Sequence, residues 1–133
     1  MPNSDLPDLD VRLDHLEQYK NQINEHSIII GHSLGAPTAI QLLQKWNQPI
    51  ERLILIAPTH TDINWDEYNQ KVPSYNNEQI QKVSQTPTDW EQIQSLVHHI
   101  DAFFSEDDPY ISMQVQDFYE RDLGAKAQVF TDK

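Results

Sequence analysis

One serine of the sequence has neighbours that would make its hydroxyl a nucleophile. Ser33 lies in Gly31-His32-Ser33-Leu34-Gly35, directly after three isoleucines and directly before a helical pattern. A strand, a tight turn and a helix in that order are the context in which G-x-S-x-G forms a nucleophile elbow. The backbone at the serine is then strained, and only very small residues fit two positions before and after it. The pattern predicts Ser33 as a nucleophile that attacks carbonyl carbon, with Gly31 and Gly35 required by the turn.

Such a serine needs a base to take its proton and an acid to orient that base. The acid should follow a later strand, and Asp107-Asp108-Pro109 stands directly after Phe103-Phe104-Ser105. We prefer Asp108, because a proline after the acid fixes the turn that aims it at the sheet edge, and we keep Asp107 in reserve. The alternative is that both aspartates only cap or solvate the turn.

The base is not evident from the sequence. A histidine after the acid is expected, but none follows Asp108. His60 leaves the second strand at the same sheet edge as Ser33 and is a candidate base, with Asp62 as the one nearby group that could orient it. The side chain of His32 is expected to point away from that of Ser33. The six histidines are His15, His26, His32, His60, His98 and His99. None forms an HExxH-type pair, so no metal site and no cofactor are predicted.

Four apolar segments predict the strands that would position these groups. They cover residues 28–30, 52–57, 99–105 and 126–130. The first two are continuous apolar runs, which predicts strands buried on both faces. The helix between them, residues 36–46, makes a βαβ unit, so the two strands should be parallel. The fold class predicted is α/β, with a mostly parallel sheet of about four strands flanked by helices.

Capping signals place the other helices. Asp8 is expected to cap a helix with leucines on one stripe, Thr88-x-x-Glu91 to open a second, and Ser112 to cap a third that closes at Gly124. A short helix is expected over 77–84. The aperiodic stretch 59–75 is expected to be a long loop that walls a binding site.

Composition limits the partners. The chain has 133 residues, a formal net charge of −12 and no cysteine. This charge would repel nucleic acid phosphates and anionic membranes, and without cysteine there is no disulfide framework or thiolate chemistry. No apolar run approaches the length that spans a bilayer. We expect a cytoplasmic protein that acts on a small acyl substrate.

Several segments together resemble one family. Met-Pro-Asn-Ser-Asp-Leu-Pro at the start, the elbow at 31–35, Leu-Ile-Leu-Ile-Ala-Pro at 53–58 and Ser-Glu-Asp-Asp-Pro-Tyr-Ile at 105–111 are similar to the small serine hydrolases of α/β-hydrolase fold that include retinoblastoma-binding protein nine. The resemblance implies Ser33 as nucleophile, Asp108 as triad acid, and the amide of Leu34 as one half of the oxyanion hole.

The chain departs from that family at both ends. Members have an additional first strand with a His-Gly loop that gives the second oxyanion-hole amide, and a Gly-His pair after the last strand that carries the catalytic base. The resemblance therefore implies one hydrolase-like domain over 1–133 without either segment, inactive or nearly so as this polypeptide. One edge of the strand 28–30 would then be open, and we expect self-association there.

Two other readings stay open. One is a binding protein on the same fold without catalysis, because a fold does not fix a function. The other is an acidic interaction domain in which G-x-S-x-G is incidental, which requires the βαβ interpretation to be wrong.

Overall fold

A computed structural model describes residues 7–72 and 77–131. Its strands are β1 (Ile28–His32), β2 (Ile50–Ile56), β3 (Val97–Ser105) and β4 (Lys126–Phe130). They form one sheet in the order β1-β2-β3-β4, and every neighbouring pair is parallel. The predicted α/β class with a parallel sheet of four strands is confirmed. The Met-Pro-Asn segment on which part of the resemblance rests lies outside the described residues.

Helices connect the strands. They are α1 (Leu9–Leu16), α2 (Gly35–Trp46), α3 (Trp65–Lys71), α4 (Asn77–Ser84), α5 (Trp90–Leu96) and α6 (Gln114–Leu123), with a 3₁₀ segment (Glu17–Gln22) after α1. The predicted cap of α1 is confirmed, since Asp8 accepts a hydrogen bond from the Val11 amide at 3.0 Å. Gly124 ends α6 at φ 59°, a left-handed conformation that glycine adopts without strain.

Three local predictions are wrong. The stretch 59–75 contains helix α3, whose N-cap Asn64 accepts a hydrogen bond from the Glu67 amide at 3.2 Å. Helix α5 begins after Asp89, whose carboxylate caps it by accepting from the Gln92 amide, so the cap is one residue after Thr88. Helix α6 begins after Met113 without a side-chain cap, rather than at Ser112. Helix α3 is too short for apolar periodicity to detect. The starts of α5 and α6 differ from the prediction by one residue, because a neighbouring residue occupies the cap position.

The prediction that the first two strands are buried on both faces is also wrong. Leu53 and Leu55 of β2 are fully buried, but Ile28 and Ile30 of β1 are 56% and 62% exposed. Side chains alternate between the two faces of a sheet. The core lies on the face that carries Leu53 and Leu55, with α2, α5 and α6 packed on it. The other face retains exposed apolar side chains.

Candidate active site

The elbow has the strained backbone that its sequence predicts. Ser33 has φ 53°, the left-handed region that non-glycine residues rarely adopt. Its amide donates to the Ile56 carbonyl at 2.9 Å, and its carbonyl accepts from the Ala36 amide at 3.1 Å. These bonds hold the turn between the end of β1 and the start of α2. The strained backbone conformation of Ser33 is thus stabilised by hydrogen bonds of both its amide and its carbonyl.

The two glycines of the motif have unequal roles. A Cβ on Gly31 would lie 2.7 Å from both the Ala36 Cα and the Gly35 carbonyl oxygen. Those are backbone atoms of the turn, so they cannot move aside like a side chain. A Cβ on Gly35 would meet nothing within 4 Å among the described residues. The close approach predicted at both positions is therefore confirmed at Gly31 and wrong at Gly35, where the Cβ direction leads into open space.

Backbone hydrogen bonds join the carboxyl ends of all four strands. Beyond the Ser33 amide bond to β2, the Ala57 amide donates to the Phe103 carbonyl and the Glu106 amide donates to the Phe130 carbonyl, each at 2.9 Å. The residues that leave β1, β2 and β3 are thereby fixed against the neighbouring strand. Loops at this edge of a parallel sheet are the usual position for a catalytic site.

Asp108 lies on the loop after β3 and is half-buried. Its Oδ1 accepts hydrogen bonds from the amides of Tyr110 at 2.8 Å and Ile111 at 3.0 Å. The carboxylate therefore stabilises the turn around Pro109, as the alternative interpretation expects, and these bonds also fix its orientation. Asp107 is exposed and its carboxylate accepts from the Ser105 hydroxyl instead.

Ser33 and Asp108 share a cavity. It has a volume of about 330 Å³ and is lined by His32, Ser33, Ala57, Tyr68, Val72, Asp108, Tyr110 and Ile111. A second, mostly apolar cleft of about 450 Å³, open to solvent, lies against it, since Ala57 and Asp108 line both; its other lining residues are Ile56, Phe103, Phe104, Ser105 and Phe130. Volumes of this size admit a small organic molecule. Ser33 and Asp108, the predicted nucleophile and acid, thus line one space next to an apolar cleft.

His60 does not line either cavity and has other partners. The residue is 1% exposed. Nε2 lies 2.8 Å from Asp122 Oδ2, and Nδ1 accepts from the Asp62 amide at 3.0 Å, so the ring is neutral with its proton on Nε2. Burial lowers the pKa of His60 even though Asp122 acts to raise it. The ring also stacks on Trp90, with centroids 5.4 Å apart. This histidine is a packed, satisfied core residue, and the geometry removes the reason to keep it as a base.

The stretch 59–75, expected to wall a binding site, does line the cavity through Tyr68 and Val72. Tyr68 of α3 is buried, and that burial, followed by the nearby Tyr110 and Asp108, raises its pKa, which keeps its hydroxyl protonated. The capped Asn64 with apolar residues at Trp65 and Tyr68 is the signal that could have revealed this helix. His32, expected to point away from Ser33, is exposed but lines the same cavity. It is the one imidazole among the described residues of that lining.

Comparison with known proteins shows the family to which this chain belongs. The profile of the serine hydrolase family matches residues 2–132, so this chain belongs to the serine hydrolases. The sheet and the elbow are those of the α/β-hydrolase fold, which its structural neighbours share.

Three known proteins illustrate the similarity in sequence and in fold. Serine hydrolase RBBP9 of Rattus norvegicus is 33% identical over 110 residues, which are 83% of this chain and 53% of that protein, so this chain spans about half the length of that curated relative. The ydeN gene product of B. subtilis superposes with a TM-score of 0.82 at 20% identity over 98% of this chain and 66% of its own. A carboxylesterase structure from the thaumarchaeon Nitrososphaera gargenis gives 0.67 at 9% identity over 100% of this chain and 66% of its own. Among the helices of residues 7–72 and 77–131, none has the length and hydrophobicity to cross a bilayer.

Proposed function

We propose that this chain carries the nucleophile and acid of a carboxylesterase-like serine hydrolase that acts on a small ester or amide with an apolar acyl group. The observation that carries the proposal is that the strained Ser33, at φ 53°, and Asp108 line the same cavity of about 330 Å³. The adjoining apolar pocket, walled by Phe103, Phe104 and Phe130, supports an apolar acyl group.

The chemistry is acyl transfer through a covalent intermediate. The Ser33 hydroxyl oxygen attacks the carbonyl carbon, its proton passes to a base, and the carbonyl oxygen becomes an oxyanion. The Leu34 amide, at the N-terminus of α2, is the donor we assign to that oxyanion. Collapse of the tetrahedral intermediate expels the alcohol or amine, which takes up the proton, and water then hydrolyses the acyl-enzyme.

The rate of hydrolysis by this polypeptide depends on whether a general base can reach Ser33. No histidine follows Asp108 in the sequence, and His60 is engaged by Asp122 and by the Asp62 amide. We therefore expect at most background turnover by these 133 residues, because removing the base of a triad costs about six orders of magnitude in turnover. Added imidazole is expected to restore part of the rate, since the cavity that Ser33 and Asp108 both line, about 330 Å³, can admit a small ring.

The test is hydrolysis of p-nitrophenyl acetate with and without imidazole. A rise in rate above the free imidazole reaction is expected for the native chain and for Ser105→Ala, a matched variant in the neighbouring pocket, but not for Ser33→Ala. Turnover without imidazole that Ser33→Ala abolishes would contradict the expected inactivity; its loss in His32→Ala would then identify His32 as the base. No Ser33-dependent rate under either condition, with no labelling by a fluorophosphonate, would favour the non-catalytic binding module.

A further inference from the structure

Three side chains with metal-ligating atoms meet at the amino ends of β2 and β3. The ligand atoms of Glu51, His98 and His99 all lie within 4.8 Å of one another. His99 Nε2 is 3.8 Å from Glu51 Oε1, and the two imidazole centroids are 4.4 Å apart with their planes at 89°. The parallel pairing of β2 with β3, in which Ile50 stands opposite Val97 and Arg52 opposite His99, places the start of one strand beside the start of the other and so brings Glu51 near the two histidines. A search for HExxH spacing cannot detect a cluster assembled across two strands.

We propose that Glu51, His98 and His99 bind a divalent transition-metal ion of the zinc class. Two imidazole nitrogens and one carboxylate oxygen are donors that suit Zn²⁺, and the half-exposed position leaves a fourth coordination site to water. Hard cations such as Mg²⁺ and Ca²⁺ prefer oxygen ligands throughout.

The cluster has to contract only slightly to hold the ion. Zinc–ligand bonds of about 2.0–2.2 Å require ligand atoms about 3.3–3.5 Å apart in a tetrahedral site. The ligand atoms here are at most 4.8 Å apart. The side chains of His99 and Glu51 are 49% and 44% exposed, so changes of rotamer are not opposed by packing.

The surroundings favour a cation. Glu25, His26, Glu51 and His98 line one cleft of about 520 Å³, which adds a carboxylate and an imidazole beside the cluster. Arg52 is the cation opposite His99, but its guanidinium is held in an ion pair with Asp101. The net charge of the whole chain, −12, attracts divalent cations to the surface.

The bound ion would join the start of β2 to the start of β3. This is the amino end of the strands, whereas Ser33 and Asp108 lie at the carboxyl end, so the ion would act on stability rather than on hydrolysis. A ligand that binds only the folded chain raises its melting temperature in a concentration-dependent way.

The test is isothermal titration of the full chain with ZnCl₂, together with its melting temperature. One Zn²⁺ per chain and a rise in melting temperature are expected, with no response to MgCl₂. His98→Ala and His99→Ala should each weaken binding at least tenfold. His15→Ala, which removes an exposed imidazole from α1, is the matched control and should bind as the native chain does.

Three outcomes would overturn the proposal. They are the absence of Zn²⁺ binding, binding that survives in a His98→Ala/His99→Ala double variant, and one ion per two chains with metal-dependent dimers. Circular dichroism establishes that each variant is folded. If an alanine variant fails to fold, His99→Gln, which keeps a polar side chain at the position, replaces it in the titration.

Discussion

The elbow can be tested without any catalytic assay, because its two glycines are a matched pair. Gly31→Ala and Gly35→Ala add the same methyl group four residues apart in one motif. At Gly31 the methyl carbon would lie 2.7 Å from the Ala36 Cα and from the Gly35 carbonyl oxygen. At Gly35, the first residue of α2, it would meet nothing within 4 Å among the described residues. The structure therefore predicts opposite signs for two substitutions that the motif alone treats as equivalent.

The magnitudes follow from these contacts. Overpacking usually costs about 1–3 kcal/mol, and Gly31→Ala should reach the upper half of that range because the clashing atoms belong to the backbone. Replacing a helical glycine by alanine where the conformation allows it stabilises by about 0.4–1 kcal/mol, so Gly35→Ala should be neutral to stabilising. At about 4 °C per kcal/mol for a chain of this size, Gly31→Ala lowers the melting temperature by about 8–12 °C, whereas Gly35→Ala leaves it unchanged or raises it by up to about 4 °C.

The melting temperatures of the native chain and of the two variants are measured by thermal unfolding, monitored by circular dichroism. Urea unfolding gives a second measure of their stability. Equal destabilisation by the two substitutions would refute the placement of the turn, because it would mean that Gly35 is as crowded as Gly31. A Gly31→Ala variant as stable as the native chain would do the same. If Gly31→Ala does not fold, Gly31→Ser is expected to fail as well, while Gly35→Ser still folds.

Two further predictions concern pH and association. Burial lowers the pKa of His60 below 6.5, so the unfolded chain takes up a proton that the folded chain resists. The stability contributed by His60 is therefore complete above about pH 6.5 and declines as the pH falls towards the folded pKa. The urea midpoint of the native chain should therefore fall as the pH is lowered through this range. The control His26→Gln, which replaces an imidazole that is 84% exposed, should show the same fall, and His60→Gln should show a smaller one. An equal fall in all three proteins would contradict the role of His60. The second prediction is self-association through β1. Among the described strands β1 pairs only with β2, and its Ile30 is 62% exposed. The chain should therefore self-associate as its concentration rises. Light scattering should find Ile30→Lys more monomeric than the native chain and than Tyr19→Lys, a control at another exposed apolar site; a native chain that stays monomeric would count against the open edge.

The sequence was most informative where local sterics decide the structure. The strand–turn–helix order at Ser33 and the glycine that ends α6 both follow from backbone conformations that few residues can adopt. Asp108 was placed at the correct sheet edge because parallel strands share one direction. The same reasoning could not show which face of β1 the helices cover, since three isoleucines are compatible with either face. Nor could it find the partners of His60, which depend on contacts between residues far apart in the chain.

The position of Ser33, the proposed nucleophile, does not depend on the rest of a triad. Ser33 is held by its amide bond to Ile56 and by the Ala36 amide bond to its carbonyl, all within β1, β2 and α2. Asp108 is oriented by the amides of Tyr110 and Ile111 in its own loop. The two groups are therefore positioned independently and meet only across the cavity, because the ladder of hydrogen bonds at the carboxyl ends fixes one strand against the next. A base could be lost or supplied from outside without disturbing either group, and this is why an imidazole-dependent rate that requires Ser33 is the informative result.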